Sequence, residues 1–252
     1  RAALYDGIKA MSLGNKTITF VKHYRIEDWS EARGILQTKD GGYIFTGQGL
    51  YDKQGTLSDE DSFITKIDTQ GNHQWTKLWQ SFHSVRIDKG NGGAAKKGDE
   101  EGRDVVELND GSFLMASQGT GFVDNQYLKL KEKWDDIFLT KFDKQGNHLW
   151  TKMIGDYSAD RVYKIYATKD NGFLFSGHFT QTGFGTKTAP TYFVLAKFDK
   201  NGKKEWAQKA EMNNVDIEPL ALDAMPAGRH GFIALGTVKT AGRESGLAEK
   251  FE

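Results

Sequence analysis

Short runs in which apolar and polar residues alternate recur along most of this chain, and polar turn residues separate them. A period of two is typical of half-buried β-strands. Each run follows a turn that contains Asp-Gly or Asn-Gly, pairs that favour two-residue hairpin turns. We therefore predict a hairpin between two strands, a and b, at each copy; the clear copies are 43–47, 113–117 and 173–177, and a diverged copy is 229–236.

A second motif, Asp-x-x-Gly followed by Trp, occurs three times. An Asp side chain can accept hydrogen bonds from backbone N–H groups ahead of it, and Gly can take the left-handed position, so the motif predicts a hairpin between two further strands, c and d. The matched tryptophans are expected to pack in apolar layers. The motif residues are Asp68 with Trp75, Asp143 with Trp150, and Asp199 with Trp206.

The repeating unit is thus a four-stranded antiparallel meander, which predicts an all-β fold and a β-propeller of four blades. The fourth blade covers about 216–252 and ends after strand c. Residues 14–24 are expected to supply its outer strand, with Phe20 near the place of the other tryptophans. This pairing closes the ring and leaves no open edge. One domain then spans 14–252, and its first three blades are about 31–80, 101–155 and 160–211.

Residues 1–13 form a lead-in before the repeat. Leu4, Ile8 and Met11 have helical spacing, so the lead-in is either a short helix packed on the ring or the stub of a longer helix that anchors the domain. The chain begins at Arg1 without an initiator methionine or a signal segment, and we expect a processed product.

Two stretches carry a resemblance to a known group of proteins. Residues 37–47 and 61–75 have the patterns TxDGGYIxxG and DxxxxKxDxxGNxxW. These patterns resemble the repeats of bacterial and archaeal secreted or cell-surface β-propellers, over residues 14–252. The resemblance implies an extracellular or surface location, often within a larger assembly and commonly without enzymatic activity. Blade four departs from the pattern, because Arg229 replaces the turn Asp and no Trp follows.

Composition narrows the classes of partner. Lys plus Arg equals Asp plus Glu at 34 each, which disfavours nucleic acid and anionic membranes as partners. The absence of cysteine excludes disulfides and thiolate metal sites. No apolar run approaches the roughly 20 residues that a transmembrane helix needs, so no transmembrane segment is expected.

The sequence contains no catalytic signature such as a nucleophile elbow, a phosphate-binding glycine loop or a dinucleotide fingerprint. We therefore predict no enzymatic activity and no cofactor. A glycan-active propeller enzyme is kept as an alternative, because propeller active sites are assembled from several blades and leave no linear motif.

The long b–c and d–a connections leave the blades on one side, which we name the loop face. Loops on a rigid scaffold often carry binding residues. We predict a surface binding, adhesion or assembly module that contacts a protein or glycan there, with a pilin-like filament subunit and self-assembly as the alternative. The aromatic residues could instead pack under their own loops. The candidate binding residues are Phe122, Tyr127, Trp134, Phe184, His83 and Arg103.

Acidic clusters raise the question of calcium, since carboxylates are the ligands that this ion prefers. None of them has the spacing of a dedicated calcium loop, so a solvated acidic edge is the favoured interpretation. The weak calcium candidates are Asp59, Glu60, Asp61, Asp135 and Asp136.

A lysine recurs once per blade, two positions before an acidic residue. This spacing places both side chains on one face of strand c and favours a same-strand or cross-strand ion pair over a functional ring of charge. The lysines are Lys66, Lys141, Lys197 and Lys250.

Overall fold

The computed structural model describes part of the chain, and all structural statements below refer to that part. The described residues are 22–24, 26, 29–50, 60–79, 100–122, 133–155, 160–180, 191–211, 223–227, 231–240 and 243–251. They form strands and turns, and no helix occurs among them. The prediction of an all-β fold is confirmed.

The strands form three four-stranded sheets and one three-stranded sheet, each an antiparallel meander. The first sheet contains β1 (Trp29–Gln37), β2 (Tyr43–Leu50), β3 (Glu60–Ile67) and β4 (His73–Trp79). The second contains β5 (Glu100–Glu107), β6 (Phe113–Phe122), β7 (Lys133–Phe142) and β8 (His148–Ile154). The third contains β9 (Arg161–Ala167), β10 (Phe173–Thr180), β11 (Thr191–Phe198) and β12 (Lys204–Glu211). The fourth contains β13 (Asp223–Ala227), β14 (Gly231–Thr240) and β15 (Arg243–Phe251).

Consecutive sheets pack through their first strands. Strand β5 contacts β1, β2 and β3, strand β9 contacts β5, β6 and β7, and strand β13 contacts β9. Apolar side chains fill the two interfaces among the first three sheets. Ile44 and Ile64 meet Phe113 and Met115 between the first and second sheets. A larger cluster between the second and third sheets includes Leu114, Leu139, Ile165, Phe173 and Phe198.

The described residues do not form a closed ring. Residues 17–21 of the expected outer strand lie outside them, and residues 22–24 have no strand conformation. Ile35 on β1 is 70% exposed, whereas its repeat equivalents Val105 and Ile165 are 2% and 1% exposed because the preceding sheet covers them. Among the described residues, no preceding sheet covers the inner strand of the first sheet in this way.

The turn predictions need one correction. In each a–b hairpin of the first three sheets, three residues rather than two connect the strands; for example, Thr38 N–H donates to Gly42 O, and Gly41 N–H donates to Thr38 O. This closure requires a positive φ at one position only, and Gly41, Gly111 and Asn171 supply it at 83°, 79° and 69°. In the fourth sheet the b–c connection is short, because β14 and β15 pair as far as Thr240 and Arg243.

The recurring lysines form cross-strand ion pairs with the a–b turns. Lys66 Nζ lies 2.9 Å from Asp40 Oδ2, Lys141 lies 3.1 Å from Asp110, and Lys197 lies 2.9 Å from Asp170. The same-strand aspartates have another role, as Asp68 shows by accepting hydrogen bonds from the backbone N–H groups of Gln70 and Asn72. Each lysine thus joins strand c to the neighbouring hairpin.

These contacts hold the turn carboxyls ionised. Burial raises the pKa of Asp40, but hydrogen bonds from Thr38 and Lys66 outweigh it and lower the pKa to about 2. The pKa of Asp170 falls to about 2 because Thr168 and then Lys197 donate to it. The Asp40 and Asp170 carboxyls are therefore fully ionised at neutral pH.

Strand β5 of the second sheet approaches β1 and β2 of the first so closely that only glycine fits at two positions. A Cβ on Gly102 would lie 2.7 Å from Gly47 O, and a Cβ on Gly34 would lie 2.9 Å from Asp104 Cα. Neither contact can be relieved by rotating a side chain, because the opposing atoms belong to the backbone. The missing side chains at these positions set the spacing between the sheets.

We predict that Gly102→Ala lowers the free energy of unfolding by about 1–3 kcal/mol, the usual cost of forcing extra volume into a packed interior. Gly111→Asn is the matched control, since a Cβ there has open space and Asn171 adopts the same positive φ in the third sheet. It should change stability by less than about 0.5 kcal/mol. Urea unfolding of both variants measures this, and equal stability of the two would contradict the close approach.

Candidate functional site

A β-bulge at the same repeat position in three sheets places one extra residue on each inner strand. The register shifts lie between Ala32 and Gly34, between Gly102 and Asp104, and where Lys164 and Val162 pair with consecutive residues of β10. The bulged residues are Arg33, Arg103 and Tyr163. Bulges redirect side chains and are frequent beside functional sites.

Each bulged residue has two polar companions at equivalent positions. Glu31 accompanies Arg33, Glu101 accompanies Arg103, and Arg161 accompanies Tyr163. The third member of each set lies on strand b and pairs in register with the residue two positions before the bulged one. These pairs are Gln48 with Glu31, Gln118 with Glu101, and His178 with Arg161. We name this set the inner-strand cluster; it consists of Glu31, Arg33, Gln48, Glu101, Arg103, Gln118, Arg161, Tyr163 and His178.

The first two sheets repeat the same ion pair. Arg33 Nη2 lies 3.2 Å from Glu31 Oε2, and Arg33 Nε donates to Gln48 Oε1 at 3.3 Å. Arg103 Nη2 contacts Glu101 Oε2 in the same arrangement. The Nε of Arg103 is buried and has no hydrogen-bond acceptor among the described residues.

The electrostatics show that the three sheets bring their cationic groups together. Burial lowers the pKa of Arg103, Glu101 raises it, and the charges of Arg33 and Arg161 lower it further. Arg33 belongs to the first sheet and Arg161 to the third, so Arg103 stands between two like charges. An anion placed among these guanidinium groups would relieve that repulsion.

The third sheet contributes a tyrosine–histidine pair instead of an ion pair. The Tyr163 hydroxyl hydrogen-bonds to His178 Nδ1. Burial lowers the pKa of His178 to about 4, and the nearby charge of Arg161 lowers it in the same direction. Burial raises the pKa of Tyr163. Both rings are therefore neutral at physiological pH, and one hydrogen bond joins the Tyr163 hydroxyl to His178 Nδ1.

The cluster lies at the end of the sheets from which the b–c and d–a connections leave. Gln48 and Gln118 precede the b–c connections, and Glu31 and Glu101 are near the starts of β1 and β5. This end is the loop face as defined from the sequence. Arg103 is the one predicted binding residue that takes part in the cluster.

The other candidate binding residues are placed as follows. Phe122 pairs with Lys133 and Trp134 pairs with Gly121, so both lie in the extended β6–β7 hairpin and not in a loop, as the sequence had suggested. Tyr127, Phe184 and His83 lie outside the described residues.

Two of the repeat tryptophans lie at interfaces between sheets, and the turn aspartates bond within their own turns. Trp75 and Trp150 are partly buried and cover the glycine turn of the next sheet, because a Cβ on Gly146 would touch Trp75 and one on Gly202 would touch Trp150. Trp206 is partly buried on β12. Asp143 and Asp199 accept backbone N–H bonds in their own turns, as Asp68 does.

Among the calcium candidates, Asp61 and Asp136 are buried at 2% and 6% exposure, while Asp59 is outside the described residues. Glu60 accepts a hydrogen bond from Gln48, and Asp135 lies on β7. Within the described residues, no group of three or more histidine or acidic side chains could hold a metal ion. A buried carboxylate that the sequence did not single out, Asp160, lies with Asp136 beside Gly155.

Sequence inspection did not identify Arg33, Arg161, Tyr163 or His178. A usable signal was present, because all four positions are found by counting back or forward from the turn aspartates Asp40 and Asp170. Aligning the three copies at those turns shows Arg, Arg and Tyr in one column and Gln, Gln and His in another. The residues at these two repeat positions differ in charge from sheet to sheet, while the turns on which the copies are aligned stay the same.

The buried His178 predicts a pH dependence of stability. Its pKa is about 4 in the fold and 6.5 in the unfolded chain, so it stabilises the fold fully above pH 6.5, and that contribution is lost as the pH falls towards 4. Asp40 and Asp170 have pKa values of about 2, so their contributions to stability are lost only below about pH 4.

The variant His178→Gln should remove this dependence, since Gln48 and Gln118 occupy the equivalent positions and an amide oxygen can still accept the Tyr163 hydroxyl. Calorimetric Tm values between pH 7 and pH 4.5 should fall more steeply for the wild type than for the variant. Parallel Tm curves would show that His178 does not titrate with a shifted pKa.

No family model matches this chain, and no curated protein matches it. Among solved structures, a protein of unknown function from Dyadobacter fermentans DSM 18053 aligns over 82% of this chain, with 13% identity and a TM-score of 0.49. The alignment covers 57% of that protein's chain. At this TM-score the likeness carries no argument about fold or function. No helix within the described ranges is long and apolar enough to cross a bilayer.

Proposed function

We propose that this protein is a non-catalytic extracellular or surface module that binds a carboxylate-bearing partner, a protein or a glycan, through the inner-strand cluster on its loop face. The observation that carries the proposal is the convergence of Arg33, Arg103 and Arg161 from three sheets. The extracellular or surface location rests on the resemblance of the repeats. The proposal requires no cofactor.

The charges of the cluster favour an anion. Two carboxylates, Glu31 and Glu101, each pair with an arginine, and Arg161 brings a third guanidinium group; the nearby Glu60 carboxylate contacts the cluster through Gln48. The buried Nε of Arg103 is a donor that has no acceptor in the part of the chain that the structure describes. Arginine binds carboxylates through a rigid fork of donors and does so more strongly where water is partly excluded.

The neutral residues add hydrogen-bonding groups of the kind that orient a sugar or a peptide. The amides of Gln48 and Gln118 flank the two ion pairs, and the Tyr163 ring presents an apolar face next to His178. Partly buried aromatic rings beside fixed polar groups are typical of recognition surfaces.

The same observations favour binding over the glycan-active alternative. Within the cluster, the carboxylates of Glu31 and Glu101 are each paired with an arginine of their own strand and are not free to exchange protons. The carboxylates of Asp136 on β7 and Asp160 just before β9 lie beside Gly155 and are not members of the cluster. The filament alternative depends on residues 1–11, which lie outside the described residues.

Calorimetric titration with two probes tests the proposal and distinguishes the partner classes. Trigalacturonate represents an acidic glycan, tetraglutamate represents an acidic protein segment, and neutral maltotriose is the control sugar. At least one acidic probe should bind, more weakly at high salt because screening weakens partly exposed charges.

Arg103→Gln should weaken that binding at least tenfold, or about 1.4 kcal/mol, within the range of a charged hydrogen bond. Lys144→Gln is the matched control, because it removes one positive charge from the exposed c–d turn at the opposite end of the second sheet. Retained affinity in a folded Arg103→Gln variant, or equal weakening by Lys144→Gln, would contradict an anion site at the cluster.

We further propose that the four sheets are the blades of a propeller that closes through residues 14–24. The support comes from residues 22–26. Lys22 Nζ donates to Asn72 Oδ1 at 2.7 Å and Tyr24 Oη donates to Gly71 O at 2.7 Å, both in the c–d turn of the first sheet. The Tyr24 ring also packs 5.6 Å from Phe45.

These contacts match those between the later sheets. Lys152 Nζ donates to Gly202 O at 2.9 Å in the turn of the third sheet. Trp79 packs 6.0 Å from Phe142 in the second sheet. In the repeat, Lys22 takes the position of Lys152 and Tyr24 takes the position of Trp79. Residues 22–24 thus contact the first sheet as an outer strand of a preceding blade would, and closure would also cover Ile35.

Crosslinking tests the closure cleanly because the chain has no cysteine. Ile35→Cys paired with Ile233→Cys should react within one molecule with a short bismaleimide. In the repeat, Ile233 corresponds to Ile44 and Ile35 corresponds to Val105, and Ile44 packs with Val105 between the first two sheets. Ile35→Cys paired with Leu149→Cys, on the exposed outer strand β8, is the control. Crosslinks that form only between molecules in the first pair would contradict closure.

A further inference from the structure

A cavity of about 340 Å³ opens between strand β8 of the second sheet and strands β10–β12 of the third. Apolar and aromatic side chains form most of its wall, and two lysines complete it. Its principal lining residues are Ile154, Phe175, Phe179, Tyr192, Val194 and Lys209. The cavity is separate from the inner-strand cluster, because β12 and β8 are the outer strands of their sheets.

The preceding interface shows what normally fills this place. Between the first and second sheets, the Trp79 ring stacks on His148 at 4.4 Å and meets Phe142 edge-on at 6.0 Å. Ile154 stands at the repeat position of Trp79, and Val194 stands at that of Phe138. Both replacements are smaller. Phe175 and Phe179, at the repeat positions of Met115 and Gly119, are larger and line the cavity beside the space that the Trp79 ring takes one interface earlier.

The replacements also change the charge of the wall. Lys204 stands at the position of His148 and Lys209 at that of Met153. Neither lysine forms an ion pair with a described residue, and Lys209 Nζ lies 4.6 Å from the centre of the Tyr192 ring. Two lysines thus border the apolar cavity, and neither has an acidic partner among the described residues.

We propose that this cavity binds a small aromatic carboxylate, with the ring in the place of the missing tryptophan and the carboxylate near Lys204 and Lys209. An apolar cavity of about 150 Å³ is enough to hold benzene, so this one has room for a substituted ring. Its size and its wall of mostly apolar groups with a few polar ones are typical of ligand sites. The site is independent of the proposed partner-binding cluster.

Fluorine NMR with 4-fluorobenzoate as the probe tests the proposal directly. The full chain should give a saturable shift or broadening of the fluorine signal, and neutral 4-fluorobenzamide should bind at least fivefold more weakly. Absence of saturable binding by folded wild-type protein would overturn the proposal, as would binding of both probes with equal affinity.

Two variants locate the binding. Val194→Phe installs the ring that the second sheet carries and should abolish binding, while Lys209→Gln should weaken it severalfold and remove the preference for the carboxylate. Lys203→Gln, an exposed charge in the neighbouring turn, is the matched control and should bind as the wild type does.

Thermal unfolding separates a ligand site from a simple packing defect. Fluorobenzoate should raise the Tm of the wild type and leave that of Val194→Phe unchanged. Fluorobenzoate binding retained by folded Val194→Phe would place the probe elsewhere and overturn the assignment. A wild type whose Tm ignores the probe, together with a Val194→Phe variant of higher Tm, would show that the cavity is a packing void.

Discussion

The close backbone approach of β5 to β1 and β2 of the first sheet is the constraint on which the site depends. Gly102 faces Gly47 and Gly34 faces Asp104 at distances that leave no room for a Cβ. Beside these contacts the strands bulge, and the extra residues Arg33 and Arg103 are brought close enough to repel each other. The carboxylate of Asp104 extends the arrangement to the third sheet by accepting a hydrogen bond from Ile165 N–H at 3.0 Å.

A repeated scaffold with locally varied side chains explains both proposed sites. The lysine–aspartate pairs recur in the first three sheets, so these sheets share the same turn geometry. Function can then change at single positions, because the backbone does not depend on them. The inner cluster varies from Arg to Tyr and from Gln to His, and the interface between sheets varies from Trp79 to Ile154.

The sequence predicted what a period of two and a turn motif can encode. The meanders, the positions of the turns and the all-β class followed from alternation and from Asp-Gly pairs. Strand alternation carries no signal for one extra residue, so the bulges at Arg33, Arg103 and Tyr163 could not be predicted. The partners of Lys66 and Lys141 were open for a similar reason, since a strand pattern shows which face a side chain shares but not which turn folds over it.

The most direct test of the account is an experimental structure of the protein with trigalacturonate or tetraglutamate bound, whichever binds in solution. The account predicts one ligand carboxylate within hydrogen-bonding distance of Arg103 Nε, with Arg33 or Arg161 as a second donor. A ligand carboxylate bound away from these guanidinium groups, with Arg103 Nε still without an acceptor, would contradict it.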